Sequence, residues 1–184
     1  MTLAVAEQTS GSVKKFVELM NQKARQLGCT NTHFNNPNGL PDETHYTTAN
    51  DMAKIARAAW FNPTFRKYCT TGYYEIPATN KFSETRYLLN HHKMMNGQAY
   101  AYDGVFGGKT GYTEAAGNTL VTFARRGNMY LVSVVMQSIN GAYSDTKSLL
   151  DYGFNNFSRS AINAKKEICF SCLPAEKYLI KDYR

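Results

Sequence analysis

The sequence has no apolar run approaching the length of a membrane-spanning helix, so a helical membrane protein is excluded and the chain reads as soluble. No secretory signal is expected: Met1-Thr2-Leu3-Ala4-Val5-Ala6-Glu7 has no basic start and its apolar stretch is too short. The sequence also lacks an arginine-rich block. Although 21 Lys and Arg outweigh 14 Asp and Glu, giving a formal charge of +7, the only basic doublets are Lys14-Lys15, Arg125-Arg126 and Lys165-Lys166. A nucleic-acid footprint is normally clustered, so a generally basic surface is expected here and no nucleic-acid partner.

Cysteine is sparse as well. Cys169-Phe170-Ser171-Cys172 has C-x-x-C spacing, but neither a second cysteine pair nor a histidine pair completes a metal set. Cys29 and Cys69 stand alone, and His91-His92 are adjacent residues that point in different directions, without a third ligand in reach. Unpaired thiols, two exposed loop histidines, and no metal or cofactor are therefore expected.

What is present suits one substantial domain, the size that 184 residues allow. The segment 12–27 places Val13, Phe16, Val17, Leu19, Met20, Ala24 and Leu27 on one side of a helix, with Ser12 as its N-cap and Gly28 as its stop. The stretch 35–42 is too rich in Asn, Pro and Gly for a regular element. Thr48 caps a second helix carrying Met52, Ile55, Ala56, Ala59 and Trp60, and Asn62-Pro63 ends it and opens a short helical piece, 64–69. Tyr73-Tyr74-Glu75-Ile76 and Arg86-Tyr87-Leu88-Leu89 read as a hairpin. Two stronger strands, 119–124 and 129–137, join through Arg125-Arg126-Gly127-Asn128, and a last helix, 144–157, uses Leu149, Leu150, Tyr152, Phe154 and Phe157 as its apolar residues.

The segment Gly107-Gly108-Lys109-Thr110-Gly111-Tyr112-Thr113 stands just before those strands. A cation and a hydroxyl between glycines form an edge that another molecule's backbone can approach closely. Two chemistries fit Gly108-Lys109-Thr110. A phosphate-binding P-loop needs a glycine five residues earlier, where Asp103 stands, and a helix directly afterwards, where 118–124 alternates like a strand. The other is the Lys-Thr-Gly element that lines an acyl-transfer site from a sheet edge, although a lone Lys-Thr-Gly is commonly only a strand end with a turn.

Further segments decide between them. Leu19-Met20-Asn21-Gln22-Lys23-Ala24, Leu27-Gly28, Thr30-Asn31-Thr32-His33-Phe34, Asn38-Gly39-Leu40, His45-Tyr46-Thr47-Thr48-Ala49-Asn50-Asp51-Met52, the Lys109 segment and Ala116-Gly117 together closely resemble the D-alanyl-D-alanine carboxypeptidases. These are the low-molecular-mass penicillin-binding proteins of the S11 serine peptidase family. The resemblance runs over 3–157 and covers the later part of that catalytic domain, leaving 158–184 as a divergent tail.

The resemblance implies an α+β fold of the penicillin-binding protein and serine β-lactamase type, an antiparallel sheet with helices on both faces. It implies removal of the terminal D-alanine from peptidoglycan stem peptides in the cell envelope, outside the cytoplasm, and reaction with β-lactams. In such an enzyme a Ser-x-x-Lys serine attacks and a Ser-x-Asn motif assists proton movement. Lys109, Thr110 and Gly111 would grip the substrate carboxylate, Tyr112 would lend its backbone N–H to the oxyanion hole, and Thr113 closes the same substrate-binding strip.

The family order places Ser-x-Asn just before Ala6-Glu7, so both serine motifs are expected outside this sequence, with no catalytic residue inside it. Ser12-Val13-Lys14-Lys15 and Ser144-Asp145-Thr146-Lys147 share the spacing, but one falls in the helix after Ser-x-Asn and the other opens the last helix, where Ser and Asp are ordinary caps. Two functions follow. One is part of a carboxypeptidase domain that is inactive alone, and the other is a non-catalytic module that binds peptidoglycan peptide or a complementing chain. Without the earlier strands, an open sheet edge and an uncovered apolar face are expected, with either self-association through that surface or a rearranged packing.

Overall fold

Two helices meet at Gly11 and Ser12. In the computed structural model, which describes residues 2–139 and 141–158, α1 is Thr2–Ser10 and α2 is Val13–Gln26, and Ser12 Oγ accepts the Lys15 N–H at 3.2 Å. Gly28 follows with φ of 75°, the left-handed conformation in which a helix C-terminus is closed by glycine. Helix α1 has no apolar stripe to announce it; Ala6 is its only buried residue.

Asn21 of α2 pins the following loop by a reciprocal pair, donating to Phe34 O at 2.7 Å and accepting from Phe34 N at 2.8 Å. Helix α3 is Ala49–Trp60, with Thr48 Oγ1 accepting Asp51 N–H at 3.2 Å, and α4 is Pro63–Thr70, capped by Asn62. Both caps stand where the sequence places them.

The strands form two sheets. β1 (Tyr73–Ile76) and β2 (Arg86–Leu89) make an antiparallel hairpin with Tyr73 opposite Leu89. β3 (Val105–Thr113), β4 (Gly117–Arg126) and β5 (Met129–Val135) make the second sheet in the order β3-β4-β5, all antiparallel, and the β4–β5 turn narrows to Gly127-Asn128. Helix α5, Ala142–Asn156, packs on one face of this sheet and α3 and α4 pack on the other.

Strand alternation sorts the two faces. Leu120 and Ala124 join Met94, Val105, Val135, Ala142 and Leu150 in the core on the α5 side. Complete burial of Met94, Leu120 and Leu150 stabilises the fold by about 1.5–3 kcal/mol per side chain. On the other side, the Trp60 ring lies 5.2 Å from Phe123 and 4.9 Å from Phe106, which sits at the bulge between Val105 and Gly107. Helices thus pack on both faces of this sheet among the described residues. Each outer strand, β3 and β5, leaves one edge unpaired among the described residues.

The last helix departs from expectation at its start. It begins at Ala142 after Gly141, whose φ of 100° and missing side chain provide no cap, so Ser144 and Asp145 lie within the first turn rather than before it. Asp145 instead accepts the Ser138 hydroxyl at 2.5 Å, which ties the helix start to the chain leaving β5. Its buried stripe is Ala142, Thr146 and Leu150, while Leu149 and Tyr152 are exposed. Cys169, Cys172 and all of the expected tail except Ser158 lie outside the described residues.

Candidate functional site

Strand β3 puts the Lys109 segment on a sheet edge. Lys109 is exposed, opposite Val121 in the register, and Thr110 is half-buried opposite Leu120. The ammonium and the hydroxyl therefore leave the strand on alternate faces and flank the same open edge. Lys109 Nζ donates to the Thr110 carbonyl, and no carboxylate among the described residues pairs with it. An ammonium in that position is available to an incoming anion.

The glycines of this strand are also required by the chain's own packing. A Cβ on Gly107 would lie 2.6 Å from Cys69 O, one on Gly108 2.1 Å from Val121 O, and one on Gly111 2.5 Å from Thr119 Oγ1. The chain's own atoms fill those three positions, pressing β3 against the end of α4 and against β4.

Tyr112 is 70% exposed opposite Asn118, so its ring leaves the sheet surface. Thr113 acts locally, since its Oγ1 accepts the Ala116 N–H at 3.1 Å and closes the turn into β4, where Gly117 has φ of 61°. Of the five candidate residues, Lys109, Thr110 and Tyr112 present groups along the edge, Gly111 gives way to Thr119, and the Thr113 hydroxyl is used within the turn.

The matched family covers this site. The model of the D-alanyl-D-alanine carboxypeptidases, peptidase S11, matches residues 1–140. The chain belongs to that family. It is 35% identical over 158 residues to the D-alanyl-D-alanine carboxypeptidase DacF of Bacillus subtilis, covering 85% of this chain and 39% of that protein. It is 37% identical over 175 residues to DacA of Haemophilus influenzae, covering 91% of this chain and 41% of the relative. The Mycobacterium tuberculosis D-alanyl-D-alanine carboxypeptidase structure superposes with a TM-score of 0.71 at 32% identity, covering 85% of this chain and 59% of that one. For the Streptomyces K15 DD-transpeptidase the values are 0.70, 34%, 78% and 55%. The fold is thus the α+β fold of the penicillin-binding DD-peptidases, and the chain spans 39% and 41% of those two curated relatives.

Within this family domain, the serines that share the Ser-x-x-Lys spacing are occupied or remote. Ser12 is the cap of α2, and Ser144 is an exposed residue of α5 whose carbonyl accepts the Ser148 hydroxyl at 3.2 Å. Neither adjoins Lys109 in the sheet.

His92 is where the sequence reading fails. Expected to be exposed beside His91, it is 0% exposed. Its N–H donates to Asn90 Oδ1 at 3.0 Å, and Asn90 in turn donates to Thr71 O at 3.1 Å, so the loop is drawn in behind β3. His92 Nε2 lies 2.8 Å from Thr122 Oγ1, and Thr122 is itself fully buried. Burial holds the imidazole below its ordinary range, against the opposing pull of backbone groups including that of Val121. The sequence offered one signal, the glycine at 108, but the atoms that exclude a side chain there belong to His92 and Val121, both distant in sequence.

Proposed function

We propose that this chain forms the carboxylate-gripping part of a serine-type D-alanyl-D-alanine carboxypeptidase site that acts on peptidoglycan stem peptides in the cell envelope. The observation that carries the proposal is the edge position of Lys109 and Thr110, an ammonium without a carboxylate partner among the described residues beside a hydroxyl on an open strand. A terminal D-alanine carboxylate laid along β3 meets both groups, and a charge-assisted bond to the ammonium holds it. On this reading the backbone N–H of Tyr112, one step beyond Gly111, is the donor to the developing oxyanion.

Acyl transfer also needs a nucleophile with a neighbouring base. Neither candidate serine adjoins Lys109, so we assign the attacking serine to a Ser-x-x-Lys segment outside this sequence and expect the chain alone to bind without turning over. The test combines two measurements. A fluorescent penicillin should leave the isolated chain without covalent label, and a D-alanyl-D-alanine peptide should bind saturably, weakened about tenfold or more by Lys109→Ala. Covalent labelling would overturn the assignment of the nucleophile, and peptide binding indifferent to Lys109 would overturn the carboxylate grip.

A second reading is favoured by the open β5 edge: a non-catalytic module completed by another chain or by a second copy of itself. Light scattering decides this, since a stable monomer that does not associate with the missing family segment rules it out.

A further inference from the structure

Strand β3 is backed at one point by a single polar side chain. His92 reaches it from the loop after β2, and its ring occupies the space that a side chain on Gly108 would need: a Cβ there would lie 2.6 Å from His92 Cδ2 and 2.8 Å from Nε2. Gly108 stands directly opposite Thr122 in the β3–β4 register, and Thr122 Oγ1 is the atom bonded to His92 Nε2 at 2.8 Å. One ring therefore touches both strands at the rung next to Lys109.

The ring is held from its own side too. Asn90 donates to Thr71 O at 3.1 Å and Cys69 O at 3.4 Å, while Asn90 Oδ1 accepts the His92 N–H at 3.0 Å and Met95 N–H donates to His92 O at 3.1 Å. Tyr143 of α5 meets the ring edge-on at a centroid distance of 6.4 Å. Cys69, whose carbonyl accepts from Asn90, is also the residue whose carbonyl blocks a side chain at Gly107. The loop at Gly108 and the end of α4 at Gly107, tied to each other by Asn90, thus flank the residue pair that precedes Lys109. The His92 imidazole Nδ1 is buried without a hydrogen-bond partner among the described residues, so the Nε2–Thr122 contact is the side-chain bond that fixes the ring.

We infer that His92 is a positioning residue for the Lys109 strand. Bonded to Thr122 and seated in the place of the absent Gly108 side chain, it sets the depth of β3 and so the point from which Lys109 and Thr110 meet a carboxylate. The claim about strand position stands on the geometry; its effect on binding rests on the carboxylate reading above.

Three variants of the full chain separate this role from simple core filling. His92→Gln places an amide near the Nε2 position and keeps a partner for Thr122, His92→Leu fills the space without one, and Thr122→Val removes the hydroxyl with little change of shape. Hydrogen exchange of β3 relative to β5 should quicken about tenfold in His92→Leu and in Thr122→Val, and stay within about twofold of the parent in His92→Gln. D-alanyl-D-alanine peptide affinity should fall about tenfold in His92→Leu and Thr122→Val, about 1.4 kcal/mol, and stay near the parent's in His92→Gln. A core-filling role predicts the reverse order, with leucine harmless and glutamine damaging, and that result overturns the inference. If His92→Leu does not fold, Thr122→Val decides alone, and an unchanged β3 exchange ratio there refutes the positioning role. If the parent chain binds no peptide, the carboxylate reading fails while the exchange ratios still judge His92.

Discussion

Removing the Asp51 carboxylate should separate the helical layer from itself. Asp51 is 1% exposed, and one oxygen, Oδ2, accepts the Asn31 backbone N–H at 2.8 Å and the Thr32 hydroxyl at 2.9 Å. The other, Oδ1, lies 3.3 Å from Lys54 Nζ. The first two bonds join the chain leaving α2 to the first turn of α3, the helix whose far end carries Trp60 over Phe123. Each bond to a charged acceptor contributes about 1.5–3 kcal/mol, whereas the half-exposed Lys54 pair contributes about 0–1 kcal/mol. Thr32 keeps its contact with Thr47 Oγ1 at 2.9 Å after the loss, which leaves the Asn31 N–H as the principal orphan. Asp51→Ala should therefore destabilise by about 3–5 kcal/mol, and Asp51→Asn, which retains one oxygen in the Oδ2 position, by about half as much.

Urea unfolding at neutral pH measures both values if the slope with denaturant is unchanged. Burial pushes the Asp51 carboxyl up, but the Asn31 N–H, the Thr32 hydroxyl and Lys54 together hold it below the ordinary carboxylate range. A depressed carboxyl contributes stability that is present above its unfolded pKa of about 3.9 and lost as pH falls through the folded value. The gap between parent and Asp51→Ala should accordingly be full at neutral pH and close below about pH 4. An Ala variant within about 1 kcal/mol of the parent, or Ala and Asn variants of equal stability, would refute the assignment of that energy to the Oδ2 bonds.

Gly108→Ala should lower stability by about 1–3 kcal/mol or more and weaken peptide binding together, because its Cβ meets Val121 O and the His92 ring; a melting temperature equal to the parent's would show that β3 can shift freely. Tyr102→Phe should cost about 1–2 kcal/mol, since the phenol donates to Asp151 Oδ1 at 2.6 Å and Arg126 packs over the ring at 4.9 Å. Burial first and the Asp151 bond second push that phenol up to about 12, with Arg126 opposing. A raised phenol contributes stability below its unfolded pKa of about 10 that is lost as pH rises towards the folded value, so the Phe variant and the parent should converge across that interval in alkaline unfolding curves.

Local chemistry was readable in the sequence wherever a residue's partner lies within a few positions. The Ser12 and Thr48 caps, the stop at Gly28 and the Asn62-Pro63 break all depend on neighbours in the chain, and each stands as expected; the β1–β2 hairpin, which pairs residues 10 to 16 positions apart, was legible from its strand composition. What escaped is non-local. His92 meets Thr122 across 30 positions, and a pair of histidines in a polar stretch gives no hint that one turns inward. Thr146 is wholly buried on α5 although its neighbours Leu149 and Tyr152 are the apolar residues that periodicity favours. Helix α1 carries too little amphipathic contrast to be seen at all. The family motifs were legible because they are short and ordered, but the reason for their glycines was not, since it resides in Cys69, Val121 and Thr119.

That reason changes how the Lys109 edge should be understood. A strand rich in glycine is usually soft, because each glycine adds backbone freedom and contributes no packing. In β3 the missing side chains let α4, the His92 loop and β4 close directly onto the backbone of Gly107, Gly108 and Gly111, so contact replaces the constraint that side chains would have given. The two residues that carry polar groups, Lys109 and Thr110, are the ones left between these contacts. An edge held from three sides can present an ammonium and a hydroxyl at fixed depth while its fourth side stays open to an extended peptide, and such preorganisation reduces the ordering that binding must otherwise impose. If the proposed carboxylate grip is correct, its rigidity originates in the residues packed behind β3, and substitutions there should weaken peptide binding while Lys109 and Thr110 are unchanged.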